Sequence, residues 1–270
     1  LKPRGARSSE RQIFDKYDLY TRAVQSPDND VEFLFDTFKD LRKKNPTTLR
    51  EDFCGTFAIC CEWAKLKGVN RAWGVDLDRE PIEYGLVNNF FHLTPAQQSR
   101  VTIRRKNVLR SGVPPVDIIA AMNFSYFIFK ERSVLIKYFE SARRGLKRDG
   151  VMIMDVFGGQ LCEEVNEERR KIENFFYYWD QQSFNPVTHE AKFAIHFQRP
   201  GQKKQRNVFK YDWRMWGIAE LRDILAEAGF KRTVIYWEGT DRKGEGNGVF
   251  TRTDKGDDSE AWVAYIAALK

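Results

Sequence analysis

The sequence predicts an α/β protein: a doubly wound, mostly parallel sheet with helices on both faces and an antiparallel β insertion after its fifth strand. Three observations predict it. Short apolar segments alternate with helical segments from residue 47 to residue 157, the rhythm of right-handed βαβ crossovers. Two of these segments, 116–122 and 151–157, are apolar nearly throughout, as strands buried on both faces are. The rhythm breaks after Gly158-Gly159, gives way to aromatic-rich segments of β character, and resumes near residue 217.

The elements follow in order. Residues 11–44 read as two helices broken at Ser26-Pro27-Asp28, with Val31, Leu34, Phe35, Phe38 and Leu41 on one apolar face. Pro46 ends that unit. Residues 48–53 are the first strand, 57–67 a helix stopped by Gly68, and 71–76 the second strand. Pro81 sits early in a helix that runs to about residue 91. Residues 101–105 and 116–122 are the third and fourth strands. An amphipathic helix, 131–147, ends at the Asp149-Gly150 turn before the fifth strand, 151–157. A charged, helix-like stretch, 162–174, precedes three antiparallel strands at 175–184, 191–197 and 207–215. A helix at 218–228 stops at Gly229. Strands at 231–238 and 262–269 complete the sheet, with a polar, Gly-rich excursion at 239–259 between them. Three units are expected: an amino-terminal helical lid (1–45), a core (46–157 and 217–270) and an inserted cover (158–216).

Composition narrows the function classes. Hydrophobic residues are 42% and charged residues 31% of the 270, ordinary for a globular protein. No apolar run approaches the roughly 18 residues of a bilayer span, and residues 1–11 do not read as a secretion signal. Cys54, Cys60, Cys61 and Cys162 have no C-x-x-C spacing, and only three histidines are present. Neither a metal site nor a disulfide framework is expected, and reduced thiols in a cytoplasm fit. The net charge is +7, from 45 basic and 38 acidic residues. Basic residues cluster at 100–110, 143–148 and 203–210, either as solvated faces or as a nucleic-acid footprint.

In an open α/β sheet the ligand lies beyond the carboxyl ends of the strands, where strand order reverses. The residues there are candidates. Gly55 allows close approach of backbone to a ligand, beside the free N–H groups of the following helix. Asp76, about 20 residues on, can take both hydroxyls of a ribose. Asn107 can pair with an adenine edge, since its amide donates and accepts. Asn123 ends the fourth strand. Each alone is a common strand-end residue; the ordered set carries more weight.

Glu51-Asp52-Phe53-Cys54-Gly55-Thr56, then Gly74-Val75-Asp76-Leu77-Asp78, then Leu146-Lys147-Arg148-Asp149-Gly150-Val151, resemble the successive motifs of class I S-adenosylmethionine-dependent methyltransferases. Glu227-Ala228-Gly229-Phe230 resembles their last helix-to-strand corner. The resemblance covers 47–157 and 217–269, and is closest to a bacterial-type small-molecule subgroup whose first loop reads Arg-Glu-Asp-Phe-Cys-Gly-Thr. It implies a Rossmann-like seven-stranded methyltransferase sheet and S-adenosylmethionine as cofactor. It also implies that Glu51 lies near the cofactor's amino group, Asp76 at its ribose, followed by Leu77, Asn107 and Val108 at the adenine, and Asn123 beside its methionine portion. Phe53, Gly55 and Thr56 form the loop beneath. Arg50 is either a carboxylate contact or a buried structural charge. In one departure, Phe53 and Phe57 hold places where the family has glycine. Such a loop does not suit a pyrophosphate, which argues against a dinucleotide.

Methyl transfer needs alignment more than acid–base machinery. Should a general base be used, His189, His196 and Tyr126 are the candidates. The aromatic insertion suits a small organic acceptor, with Tyr178 and Trp213 expected to face inward. A methyltransferase acting on RNA or protein, an inactive binding module of the same fold, and a nicotinamide dehydrogenase remain as alternatives.

Overall fold

The computed structural model describes residues 14–242 and 244–270. The basic leader and the expected first residues of the opening helix lie outside them. Two helices come first, α1 (Lys16–Val24) and α2 (Pro27–Arg42). Asp15 caps α1 by accepting the N–H groups of Tyr17 and Asp18. Pro27 opens α2, where its missing N–H is no loss.

Five strands follow with their crossover helices. They are β1 (Thr48–Asp52), α3 (Ala58–Leu66), β2 (Arg71–Asp76), α4 (Arg79–Asn88), the short α5 (Pro95–Gln98), β3 (Val101–Arg105), β4 (Val116–Ala121), α6 (Arg132–Arg144) and β5 (Leu146–Gly158). The Asp149-Gly150 turn is a bulge within β5, where the register against β4 jumps. The insertion holds β6 (Asn166–Ile172), β7 (Phe175–Asn185), β8 (Glu190–Gln198) and β9 (Gln205–Arg214). The chain closes with α7 (Ile218–Glu227), β10 (Arg232–Thr240), β11 (Gly246–Thr253) and β12 (Trp262–Leu269).

The main sheet runs β11-β10-β12-β5-β4-β1-β2-β3. The strands β1 to β5 are mutually parallel, β12 is antiparallel to β5, and strand order reverses between β1 and β4. It has eight strands, not seven. The eighth, β11, lies in the segment read as an excursion; Phe250 anchors it, packing at 5.7 Å on Phe33 and 4.5 Å on Tyr265. One aromatic in a Gly-rich stretch leaves no periodic signal. A second difference concerns 162–174. This stretch forms β6, paired with β7 from Asn166↔Gln181 to Ile172↔Phe175. It has no apolar helical face to bury, and its charges suit an exposed edge strand.

The core has two layers. Val31, Leu34 and Phe38 of α2 pack with α3 and one face of the sheet. Helices α6 and α7 cover the other face. Of the expected lid, therefore, α2 belongs to the core, and only α1 lies against the insertion, through Leu19 on Phe175, Tyr177, Ile195 and Phe197.

Strand alternation in β1 sends Leu49 and Glu51 to the α2–α3 face and Arg50 and Asp52 to the α6 face. Arg50 and Asp52 are each 1% exposed. They form a two-point pair, Nε to Oδ1 at 2.6 Å and Nη2 to Oδ2 at 2.8 Å. Nη2 also donates to the Val108 carbonyl at 3.0 Å, and the Tyr138 hydroxyl donates to Asp52 at 3.0 Å. Removing one member of a buried pair strands the other charge, which costs about 3–5 kcal/mol. Arg50→Ala should lower the unfolding free energy by that amount in urea titrations. A loss below about 1 kcal/mol, the scale of a surface pair, would contradict this reading.

Candidate functional site

The tips of β1, β2 and β4 lie together at the carboxyl end of the sheet, beside the β1–β4 reversal, where this topology opens a cleft. At its floor, the Glu51 carboxylate accepts the Cys60 N–H at the start of α3, at 3.1 Å. No cation pairs with it among the described residues, and burial pushes it up to about 8.

The loop after β1 has three left-handed residues, Phe53 (φ 56°), Gly55 (φ 51°) and Phe57 (φ 45°). For a phenylalanine this costs roughly 1–2 kcal/mol. Burying its ring returns about 1.5–3 kcal/mol, so packing holds the shape that glycine would allow freely. Phe57 is fully buried, and Phe53 packs at 5.9 Å on Phe129 and 5.6 Å on Tyr138.

Asp76 ties this loop to the tip of β2. One carboxylate oxygen accepts the Gly55 N–H at 2.7 Å and the other accepts the Asp78 N–H at 2.9 Å. A carboxylate has about four lone-pair sites, so each oxygen can still take a ligand hydroxyl. Leu77, next to it, is 63% exposed. Thr56 is buried, and its carbonyl accepts from the Asn89 side chain at 2.8 Å. Asn107 caps a short turn by accepting the Leu109 N–H at 2.9 Å, leaving its amide N–H groups free of partners among the described residues. Val108 is buried behind it.

At the tip of β4, Asn123 and Phe124 are both left-handed (φ 58° and 56°). Their N–H groups donate to the two oxygens of Asp155, at 2.7 and 2.8 Å. Asp155 is buried, which pushes it up to about 7. From α2, the half-buried Asp30 raises both Glu51 and Asp155 by its charge, and burial pushes Asp30 itself up to about 6.

The roof comes from α1 and the insertion. Helix α1 is tied to α4 by Lys16–Glu80 at 2.5 Å and by the Tyr84 hydroxyl donating to Asp15 at 3.0 Å. Tyr20 packs on Phe209 at 5.0 Å and meets the Tyr211 hydroxyl. Behind them lie Trp179, Tyr211 and Trp213, the last two 4.4 Å apart.

Several expected site residues lie elsewhere. Arg50 is the buried partner of Asp52 and turns away from the cleft. Tyr126 is fully buried and its hydroxyl donates to the Asp155 backbone carbonyl at 2.8 Å, so it has no reach into the cleft. His189 is exposed beside the β7–β8 turn, with its ring 5.8 Å from Phe184. His196 is fully buried on the outer face of the inserted sheet. Its Nδ1 accepts the Asn207 N–H at 2.8 Å. In the neutral ring the proton is therefore on Nε2, facing Asp180 at 3.0 Å. No nitrogen lone pair is left for a base or a metal, although Glu167, Asp180 and His196 lie close together. Tyr178 shares that outer face, under the Lys204 ammonium at 3.6 Å. Trp213 does face inward, but at 3% exposure it is core.

The sequence places Asp155 at a strand tip without a role; Asp30, in the first turn of α2, carries no local signal that it acts on Glu51 and Asp155.

Among solved structures, the chain is similar to an S-adenosylmethionine-dependent methyltransferase from Clostridium acetobutylicum. The two are 17% identical over 93% of this chain and 96% of that one, with a TM-score of 0.66. It is also similar to an amino pentose methyltransferase of calicheamicin biosynthesis from Micromonospora echinaspora. That pair is 13% identical over 97% and 99% of the chains, with a TM-score of 0.64. A sugar N-methyltransferase from Streptoalloteichus is 14% identical over 100% and 99%, with a TM-score of 0.63. No family model matches the sequence, and no curated protein matches it. The chain thus has the class I methyltransferase fold.

One glycine fixes the loop from outside. A Cβ on Gly85 of α4 would lie 2.3 Å from the Thr56 carbonyl oxygen. Gly85→Ala should push that loop off α4 and lower stability by about 1–3 kcal/mol, as overpacking does. Thermal unfolding measures it; an unchanged midpoint would show that the loop is not held there.

Proposed function

We propose that this chain is an S-adenosylmethionine-dependent methyltransferase that methylates the nitrogen of a small organic amine. The observation that carries the cofactor reading is the ordered set Glu51, Gly55, Asp76 and Asn107 along the strand tips at the sheet's reversal. The residues fit the group. Glu51 is buried without a cation and suits the cofactor's ammonium. Asp76 keeps oxygen lone pairs for the ribose hydroxyls, with Leu77 beside it as an uncovered apolar face. Asn107 offers amide N–H groups to the adenine, with Val108 behind. Asn123 borders the methionine portion, and Phe53, Gly55 and Thr56 form the floor.

The similarity to proteins described as amino pentose and sugar N-methyltransferases supports an amine acceptor. So does a cleft that sets carboxylates beneath aromatic rings. When bound, S-adenosylmethionine would supply an electrophilic methyl to the unprotonated acceptor amine, leaving as S-adenosylhomocysteine, and the proton of the acceptor nitrogen would pass to water. The chain's own part is alignment and exclusion of water. In this reading residues 158–216 and α1 roof the acceptor, while 46–157 and 217–270 hold the cofactor. The four unpaired cysteines suit a reducing compartment such as the cytoplasm. No helix among the described residues is long and apolar enough to cross a membrane.

Asp76→Ala tests the cofactor role. Loss of charge-assisted hydrogen bonds should weaken S-adenosylhomocysteine binding by about 1.5–3 kcal/mol, roughly 10–150-fold. Calorimetry gives the constant and circular dichroism the control for folding. An unchanged constant in a folded variant would remove Asp76 from the site.

A further inference from the structure

We propose that Asp30, with the Tyr265 hydroxyl beside it, is the acceptor's ammonium-binding site. This rests on the amine reading above and adds the residues that recognise the amine.

Four elements bring the groups together. Asp155 of β5 and Tyr265 of β12 are register partners, so their side chains leave the same face of the sheet side by side. Glu51 of β1 lies on that face too, one strand beyond β4. Helix α2 crosses the face, and Phe33, one turn after Asp30, stacks on Tyr265 at 4.3 Å. Residues three apart share a helix face, so the contact that seats Phe33 also brings Asp30 toward Tyr265.

The bonding already present separates the roles of the three carboxylates. Both oxygens of Asp155 accept backbone N–H groups and shape the β4 tip. Glu51 caps α3 from the cleft floor. Asp30 receives only the Ser26 backbone N–H and keeps an unengaged oxygen. None of the three forms an ion pair among the described residues.

Tyr265 is the second group at this place. It is 9% exposed, and its hydroxyl, which still reaches solvent, makes no hydrogen bond among the described residues, so it is open to a ligand. Asp30 and Asp155 both act on it electrostatically. An ammonium between Asp30 and Tyr265 offers N–H groups to the Asp30 carboxylate and to the oxygen of that hydroxyl. This is the form in which the acceptor is recognised. It gives up one proton, to the Asp30 carboxylate and from there to water, before its nitrogen lone pair can take the methyl. Tyr20 of α1, which feels the same two carboxylates, closes the site from above.

The experiment uses the full chain saturated with S-adenosylhomocysteine at about pH 7.5, above the value of about 6 to which burial pushes Asp30, so that Asp30 is ionised while an alkylamine is still protonated. Benzylamine and benzyl alcohol, a cation and its neutral counterpart, are titrated while tryptophan fluorescence is followed. The wild type should bind benzylamine roughly tenfold or more tighter than benzyl alcohol, as charge-assisted hydrogen bonds in a desolvated site require. Asp30→Asn should bring that ratio close to one and leave S-adenosylhomocysteine binding within about twofold. Tyr265→Phe, a milder change, should lower the ratio partway. If the wild type shows no preference for the amine, the amine reading fails and this proposal with it. If Asp30→Asn keeps the preference, the proposal alone fails. If Asp30→Asn instead weakens S-adenosylhomocysteine, Asp30 belongs to the cofactor's ammonium and the assignment is overturned. Circular dichroism checks folding, and Asp30→Glu, expected to keep part of the preference, shows that charge rather than shape is read.

Discussion

The buried pair between Arg50 and Asp52 sets the register on which the cleft depends. A strand has a side-chain period of two, so a slip by one residue would exchange its faces. In β1 such a slip would bring Arg50 into the cleft and bury Glu51 under α6. The pair prevents it, because Asp52 has its counter-ion and the Tyr138 hydroxyl only on the α6 face. The same guanidinium holds the Val108 carbonyl and so fixes the turn that carries Asn107. One structural ion pair therefore sets the position of two residues assigned to the cofactor, though it touches neither ligand.

The cleft is then built by carboxylates that bond to backbone. Asp76 draws the β1 loop to the β2 tip, and Asp155 draws in two consecutive left-handed residues at the β4 tip. Such backbone is strained and persists where its surroundings hold it. Here buried aromatic rings and buried carboxylates do so. The resulting cleft concentrates carboxyl groups in a poorly solvated space, where burial raises Glu51, Asp155 and Asp30 and so favours their neutral forms. A cationic ligand would favour the charged forms instead.

The parallel core was legible in the sequence because buried strands and amphipathic helices carry periodic signals. So was the placing of Gly55, Asp76 and Asn107 at strand tips, because the order of strands and helices fixes where each strand ends. What was not legible depended on long-range contact. Strand β11 is held by Phe250 against Phe33 and Tyr265, and β6 by its ladder with β7; neither has a strong local pattern. Tyr178 and Trp213 could not be sorted by face before the register of the inserted strands was known. His196 looked reactive by type, and only its bond from the Asn207 N–H shows its lone pair to be taken. Asp30 enters the cleft through the crossing of α2 over the sheet, which no local pattern announces.

In the proposed reading this cleft holds an S-adenosyl sulfonium rather than a dinucleotide. Isothermal titration of the purified chain with S-adenosylmethionine, S-adenosylhomocysteine and NAD tests it most directly. Saturable one-to-one binding of either S-adenosyl compound is expected, and none of NAD. Binding of NAD, with no binding of either S-adenosyl compound, would contradict it.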